Sequence, residues 1–153
     1  MRQHDREITD RAAIESILEE ALVLRIGLVD NDTPYVLPVC FGYRDNCLYI
    51  HSAQAGRKID ILKKNNRVCF ETEVGVEVVP GDPACKWTVR YRSVIGMGTA
   101  RIVEDPQEKI KALDIIMEHY SGRTGHEYHE AVLGIAAVIR IDVTEMTGKK
   151  SKE

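Results

Sequence analysis

Six apolar runs of strand character dominate the chain, and helices do not alternate regularly between them. "LVLRIGLVD" and "YVLPVCFGY" are divided by "NDTP". The turn "RDN" leads into "CLYIHS", and "RVCFETEVGVEVV", "KWTVRYRSVIGMGTARIVE" and "AAVIRIDVTEMTG" follow. β-Branched residues bounded by turn formers read as strands. A doubly wound sheet needs a helix between successive strands. The pattern therefore predicts a mainly β fold with peripheral helices, a six-stranded antiparallel barrel of Greek-key type. The first three strands are expected to form an antiparallel meander. Pro38 cannot donate to a ladder, so its strand needs an edge, a bulge, or a neighbour that is not a strand. Gly96 and Gly98 mark a bend in the long fifth strand.

Three helices are legible. Asp10 is a good N-cap for a helix carrying Ile14, Ile17, Leu18 and Ala21 at helical spacing. A short helix runs over 57–64 with Ile59 and Leu62 inward. "DPQEKIKALDIIMEHYSG" has Asp105 as cap, Pro106 at its first position, Glu108 completing a box-like pattern and Gly122 as its stop. Its apolar stripe reads as Ile110, Leu113, Met117 and Tyr120.

The chain's 153 residues suggest one domain over 1–153, with a polar tail over 146–153. A formal net charge of −3 does not fit a broad nucleic-acid surface. No apolar run approaches the roughly 20 residues that cross a membrane. "MRQHDREITD" has no signal-peptide core, so a cytoplasmic address is expected. None of Cys40, Cys47, Cys69 and Cys85 forms a C-x-x-C pair. The first three lie in apolar segments and are expected to be buried free thiols; Cys85 lies in a loop.

One stretch breaks a local rule. "YIHSAQAGRKIDIL" reads as a strand end, a turn and a helix, yet Arg57 and Lys58 stand where the helix begins. A helix N-terminus carries partial positive charge and disfavours cations. A bound phosphate resolves the conflict, because free backbone N–H groups and both cations would face it. Arg grips phosphate oxygens in a fork, and Lys acts as a point charge. Ser52 adds a hydroxyl and Gly56 allows close approach. The ordinary alternative is two solvated cations.

"PYVLPVCFGYRDNCLYIHSAQAGRKIDILKKNNRVCFE" resembles the core of the pyridoxamine 5'-phosphate oxidase-related, FMN-binding split-barrel superfamily, in its nitroimidazole-resistance branch. "RSVIGMGTARIVEDP" and "VTEMTGKKS" fit the same branch, and the resemblance covers about residues 3–150. It implies an FMN, with FAD as a variant, held at the interface of a homodimer. Arg57, Lys58 and Ser52 would hold the phosphate. Val36, Leu37, Pro38 and Val39 would run beside the isoalloxazine ring, with Ile50 and His51 at the neighbouring strand end. Ser93 stands where the oxidases carry a flavin-contacting glutamine, and Trp87 where they have a tryptophan near the cofactor; the partner subunit could supply either. His51 would face substrate and serve as a proton donor.

The implied activity is an FMN-dependent oxidoreductase passing electrons from NAD(P)H to a small acceptor such as a nitro-aromatic, with neither nucleic acid nor membrane as partner. Those oxidases hold the substrate phosphate with an arginine- and histidine-bearing C-terminal stretch, which "TEMTGKKSKE" lacks, so efficient pyridoxamine phosphate oxidation is not expected. The rival is a flavin- or haem-binding carrier or sensor without turnover. His126 and His129 are three apart, against four in a zincin helix, so no metal site is expected; "GMG" at 96–98 lies in a strand and is not a dinucleotide fingerprint. Tyr91 and Tyr128 read as pocket-lining or surface aromatics.

Overall fold

Two residues, Cys40 and Phe41, join the opposite edges of one antiparallel sheet, and this sets the architecture. The computed structural model describes residues 4–151. In chain order the elements are β1 (Glu7–Ile8), α1 (Arg11–Glu20), β2 (Leu24–Asp30), β3 (Thr33–Val39), β4 (Gly42–Arg44), β5 (Cys47–Ala53) and α2 (Arg57–Lys64). They continue with β6 (Arg67–Val79), β7 (Thr88–Val103), α3 (Pro106–Ser121), α4 (Glu130–Ile135) and β8 (Ala136–Lys150). The strands pair in the order β3-β2-β6-β7-β8-β5-β4, with β1 added to β8. From Val39 to Gly42 there are three Cα steps, a reach of about 11 Å. The sheet must therefore curl until its edges nearly meet. β3 and β4 do not pair, so the result is a split barrel.

This corrects two expectations. The predicted second strand is two strands, β3 and β4, and with β1 the described sheet has eight strands, two more than predicted. The three-strand meander is two hairpins, β2–β3 and β4–β5, which lie at opposite edges. Of the options that Pro38 left open, the edge holds: it registers opposite Arg25, and β3 has no strand on its other side among the described residues. The bend in β7 is a register shift between Met97 and Gly98. Residues 146–150 belong to β8 and pair with β7, so most of the predicted tail is sheet.

The barrel interior is filled by alternate residues of each strand, among them Leu24, Ile26, Leu28, Leu48, Phe70 and Ile139. α1 lays Ile14, Ile17 and Leu18 against it, and the Asp10 carboxylate accepts from the Ala13 amide as the sequence predicts. α2 inserts Ile59, Ile61 and Leu62. α3 starts and stops as predicted: Asp105 accepts from the Glu108 amide, and Gly122 takes φ 68°. Its buried face differs, however. Ala112, Ile115 and Ile116 are buried, whereas Ile110 and Tyr120 are exposed. On this side Gly42 of β4 lies against the helix backbone; a Cβ at Gly42 would sit 2.8 Å from the Ile115 carbonyl.

The C-terminal turn of α3 covers the split. The Tyr120 hydroxyl donates to the Leu22 carbonyl at 2.9 Å and accepts from the Phe41 amide at 3.0 Å. The His119 imidazole bonds the Ala21 carbonyl through Nε2 at 2.7 Å and packs on the Phe41 ring. α4 was not legible in the sequence. It lacks a side-chain cap, and long side chains from elsewhere hold its last carbonyls: Lys109 donates to Leu133 at 2.8 Å, and Gln54 donates to Gly134.

Candidate functional site

Three residues separate the end of β5 from the start of α2, whose N-terminus meets the β2–β3 hairpin. Gly56, at φ 128°, is its N-cap and supplies no side-chain acceptor. The first N–H groups of the helix are thus left to another partner. The Arg57 guanidinium stacks 4.3 Å from the centre of the Tyr35 ring on β3, and it approaches the Asp30 carboxylate at 3.4 Å. These contacts bring the end of β5, the start of α2 and the free edge β3 to one place beside the split.

Lys58 is different. It is partly buried, and no acceptor or carboxylate among the described residues meets its ammonium. Burial alone pushes its pKa down. An unpaired ammonium sacrificing hydration at an uncapped helix N-terminus is an arrangement that an anion would relieve.

The alternation of β3 and β5 sorts the other sequence-predicted residues. Val36 and Pro38 point outward, Val36 at 65% exposure, while Val39 is buried and Leu37 packs against the core. Ile50 is wholly buried. Val39 and Ile50 thus turn their side chains into the core and leave backbone at the surface, and Leu37 is half-buried between the two settings. His51 is exposed and Ser52 half-buried next to the loop that leads to Arg57.

Ser93 and Trp87 lie elsewhere. The cross-strand row Pro38–Arg25–Glu71–Ile95 spans β3, β2, β6 and β7. At about 4.8 Å per strand, β7 is about 14 Å from β3. Within one chain, no hydrogen bond or ion pair among the described residues joins Ser93 or Trp87 to Arg57 or Lys58.

One face of β7 carries Trp87, just before the strand, then Val89, Tyr91, Ser93, Ile95 and Met97 in alternation; Ser93 is buried at 7% exposure, between the half-buried Tyr91 and the exposed Ile95. Trp87 is 56%, Ile95 54% and Met97 37% exposed, and Val76 and Val78 of β6 extend the apolar ribbon. Beside it lies a groove of about 350 Å³ lined by Glu71, Tyr91, Ser93, Ile95 and Lys149. Arg25 pairs with Glu71 at 3.1 Å and with Glu73 at 2.6 Å. Burial, then the neighbouring Glu73, raises the Glu71 pKa.

All four thiols are free and Cys47 is buried, as expected, but Cys40 and Cys69 depart from the expected burial. Cys40 and Cys69 are exposed, one in the β3–β4 break and one on the outward face of β6; Cys47 is buried and donates to Asp142 at 3.3 Å. Cys85 is exposed. The histidines of the C-terminal half serve separate roles: His126 bonds Ser121 and the Arg123 carbonyl, while His119 is committed to Ala21. Tyr128 donates to Asp114 at 2.8 Å. No helix among the described residues is long and apolar enough to cross a membrane.

Sequence reasoning missed Asp30 and Tyr35. Nothing in their spacing signals them, because only the barrel's curl brings the hairpin to α2. The β7 ribbon went unread as well, although its period-2 alternation is local to one strand.

Comparison with known proteins places the chain in a family. A family profile described as pyridoxamine 5'-phosphate oxidase matches residues 10–150. No curated protein sequence matches. A solved structure of a proposed 5-nitroimidazole antibiotic resistance protein from Bacteroides thetaiotaomicron is 36% identical over 94% of this chain and 86% of its own, with a TM-score of 0.84. A FAD and haem binding protein from Mycobacterium smegmatis reaches a TM-score of 0.87 at 20% identity, over 97% of this chain and 74% of its own. A flavocytochrome from Azotobacter vinelandii reaches 0.84 at 21% identity, over 100% and 72%. At such identities the last two show a shared fold.

Proposed function

The chain belongs to the pyridoxamine 5'-phosphate oxidase family, and we propose that it is an FMN-dependent oxidoreductase whose phosphate site is the start of α2. The observation that carries this reading is Lys58, half-buried and unpaired at an uncapped helix N-terminus. The residues suit a flavin phosphate: two cations, uncapped amides, the Ser52 hydroxyl, and Gly56, where open space surrounds the position a Cβ would take. Val36 and Pro38 give an apolar wall, and the exposed backbone of edge strand β3 gives polar groups for a ring's rim.

FMN, when bound, supplies two-electron chemistry between a reduced nicotinamide and a small acceptor. The chain's own residues then hold the phosphate, flank the ring, and offer the His51 imidazole as proton donor at the acceptor side. A nitro-aromatic acceptor is favoured by the likeness to the Bacteroides protein. The apolar ribbon of β7 supports a homodimer, since exposed contiguous apolar surface marks an interaction face. In such a dimer, Ser93 and Trp87 would serve the partner's site. Unpaired thiols at Cys40, Cys69 and Cys85 suit a reducing, cytoplasmic setting.

The test is the visible spectrum of the purified protein before and after FMN is added, with Arg57→Ala/Lys58→Ala alongside. Flavin bands retained on gel filtration are expected, with FMN affinity in the double variant down by roughly 100-fold or more and riboflavin binding little changed. A double variant that retains FMN as the parent does overturns the phosphate assignment. Haem bands in place of flavin would favour the non-catalytic carrier.

A further inference from the structure

The β2–β3 hairpin controls the cation that the proposed site needs. Arg57 is held on two sides. The Tyr35 ring packs against the core on one side and carries the guanidinium at 4.3 Å, while Asp30, the last residue of β2, meets one N–H at 3.4 Å. The Arg57 side chain is still 55% exposed, so its other donors face outward. A ring platform fixes the plane of a guanidinium without using its N–H groups. A carboxylate does the opposite: it takes a donor, and it puts a negative charge beside any anion that Arg57 would share.

We infer that Asp30 and Tyr35 are positioning residues of the anion site: Tyr35 orients Arg57 toward a phosphate, and Asp30 competes with that phosphate for the guanidinium. This rests on the reading of α2 as a phosphate site. Asp30 thus sets the affinity for a phosphate monoester below what Arg57 and Lys58 alone would give, and it leaves a neutral flavin unaffected. It keeps Arg57 docked to the hairpin and makes phosphate uptake an exchange of one anion for another.

Binding of FMN, riboflavin and inorganic phosphate is measured for the parent protein, Asp30→Asn, Tyr35→Phe and Tyr35→Leu, at low salt and at about 0.5 M salt. Asp30→Asn should bind FMN roughly three- to tenfold more tightly at low salt, lose most of that gain at high salt, and leave riboflavin unchanged. Tyr35→Leu should weaken FMN about two- to fivefold without weakening riboflavin, and Tyr35→Phe should restore parental binding. FMN binding no tighter in Asp30→Asn overturns the proposal. So does an equal loss of FMN and riboflavin in Tyr35→Leu, which would indicate a purely structural ring. Should the parent bind inorganic phosphate and no flavin, the flavin reading falls, and phosphate becomes the probe: a gain in Asp30→Asn supports the competition and no gain overturns it. Binding of neither ligand overturns both.

Discussion

The Phe41 amide donates to the Tyr120 hydroxyl at 3.0 Å across the break where the sheet fails to close. Phe41 is fully buried, so this N–H has been taken out of water. The same hydroxyl donates to the Leu22 carbonyl at 2.9 Å. One phenol thus satisfies the β3–β4 junction and the α1–β2 connector, replacing the ladder bonds that a closed barrel would have.

Tyr120→Phe should therefore cost more than an exposed tyrosine normally does. The ring stays, but a buried donor loses its acceptor, at about 1–3 kcal/mol. Urea unfolding should show a lower midpoint with an unchanged slope. An unchanged midpoint would mean that water reaches the Phe41 amide and that the split needs no latch.

The outward face of β7 predicts an association state. Ile95 is 54% exposed in the middle of a ribbon running from Trp87 to Met97. In a monomer, Ile95→Lys is a surface change within about 0.5 kcal/mol. In a dimer it buries a charge against apolar surface. Light scattering should show the parent as a dimer and Ile95→Lys as a folded monomer. A variant that stays dimeric would place the interface elsewhere.

These residues show what a sequence can disclose. Strand chemistry and helix caps are local, so the apolar runs were legible as strands, as were Asp10, Asp105 and Gly122, whose capping roles depend on neighbours within four residues. The break at Cys40–Phe41 was not legible. "YVLPVCFGY" has unbroken strand chemistry, and only Tyr120, 79 residues away from Phe41, makes the interruption tolerable. Arg57 and Lys58 were visible because they contradict the helix dipole. Their division of labour was not, because Asp30 and Tyr35 reach Arg57 only through the barrel's curl, and Lys58 acquires its unpaired state from burial. α3 was legible as a helix but buries Ala112, Ile115 and Ile116 in place of its apparent stripe, the side on which Gly42 of β4, distant in sequence, comes against its backbone.

Lys58 should carry opposite signs for stability and for binding. Its native pKa lies below the ordinary 10.5, through burial. Between those values the unfolded chain binds more protons than the native one, so stability rises with pH across that window. Lys58→Met should abolish this rise and, without added flavin, should make the protein more stable than its parent at neutral pH. The same change should weaken FMN roughly 10- to 100-fold, the scale of a lost charged hydrogen bond. Thermal melts across pH, with and without FMN, check both signs. A variant less stable than the parent at neutral pH would show that the ammonium has a partner worth more than its hydration.

His51 separates catalysis from binding. It lies outward on β5 opposite Val138, and among the described residues no hydrogen bond or ion pair engages its ring. Its removal should therefore leave the fold within about 0.5 kcal/mol. The phosphate contacts belong to α2, so FMN affinity in His51→Ala should stay within about twofold. Turnover should not. A proton delivered by a positioned imidazole is worth about 10²- to 10⁴-fold, and a nitro-aromatic acceptor needs protons as it takes up electrons. Reduced-nicotinamide oxidation with a nitroimidazole acceptor should fall by about the lower of these factors, while flavin reduction by the nicotinamide alone continues. A matching fall in both half-reactions would instead place His51 on the shared path of the flavin, and unchanged turnover would leave it as an exposed strand residue, with proton delivery falling to solvent.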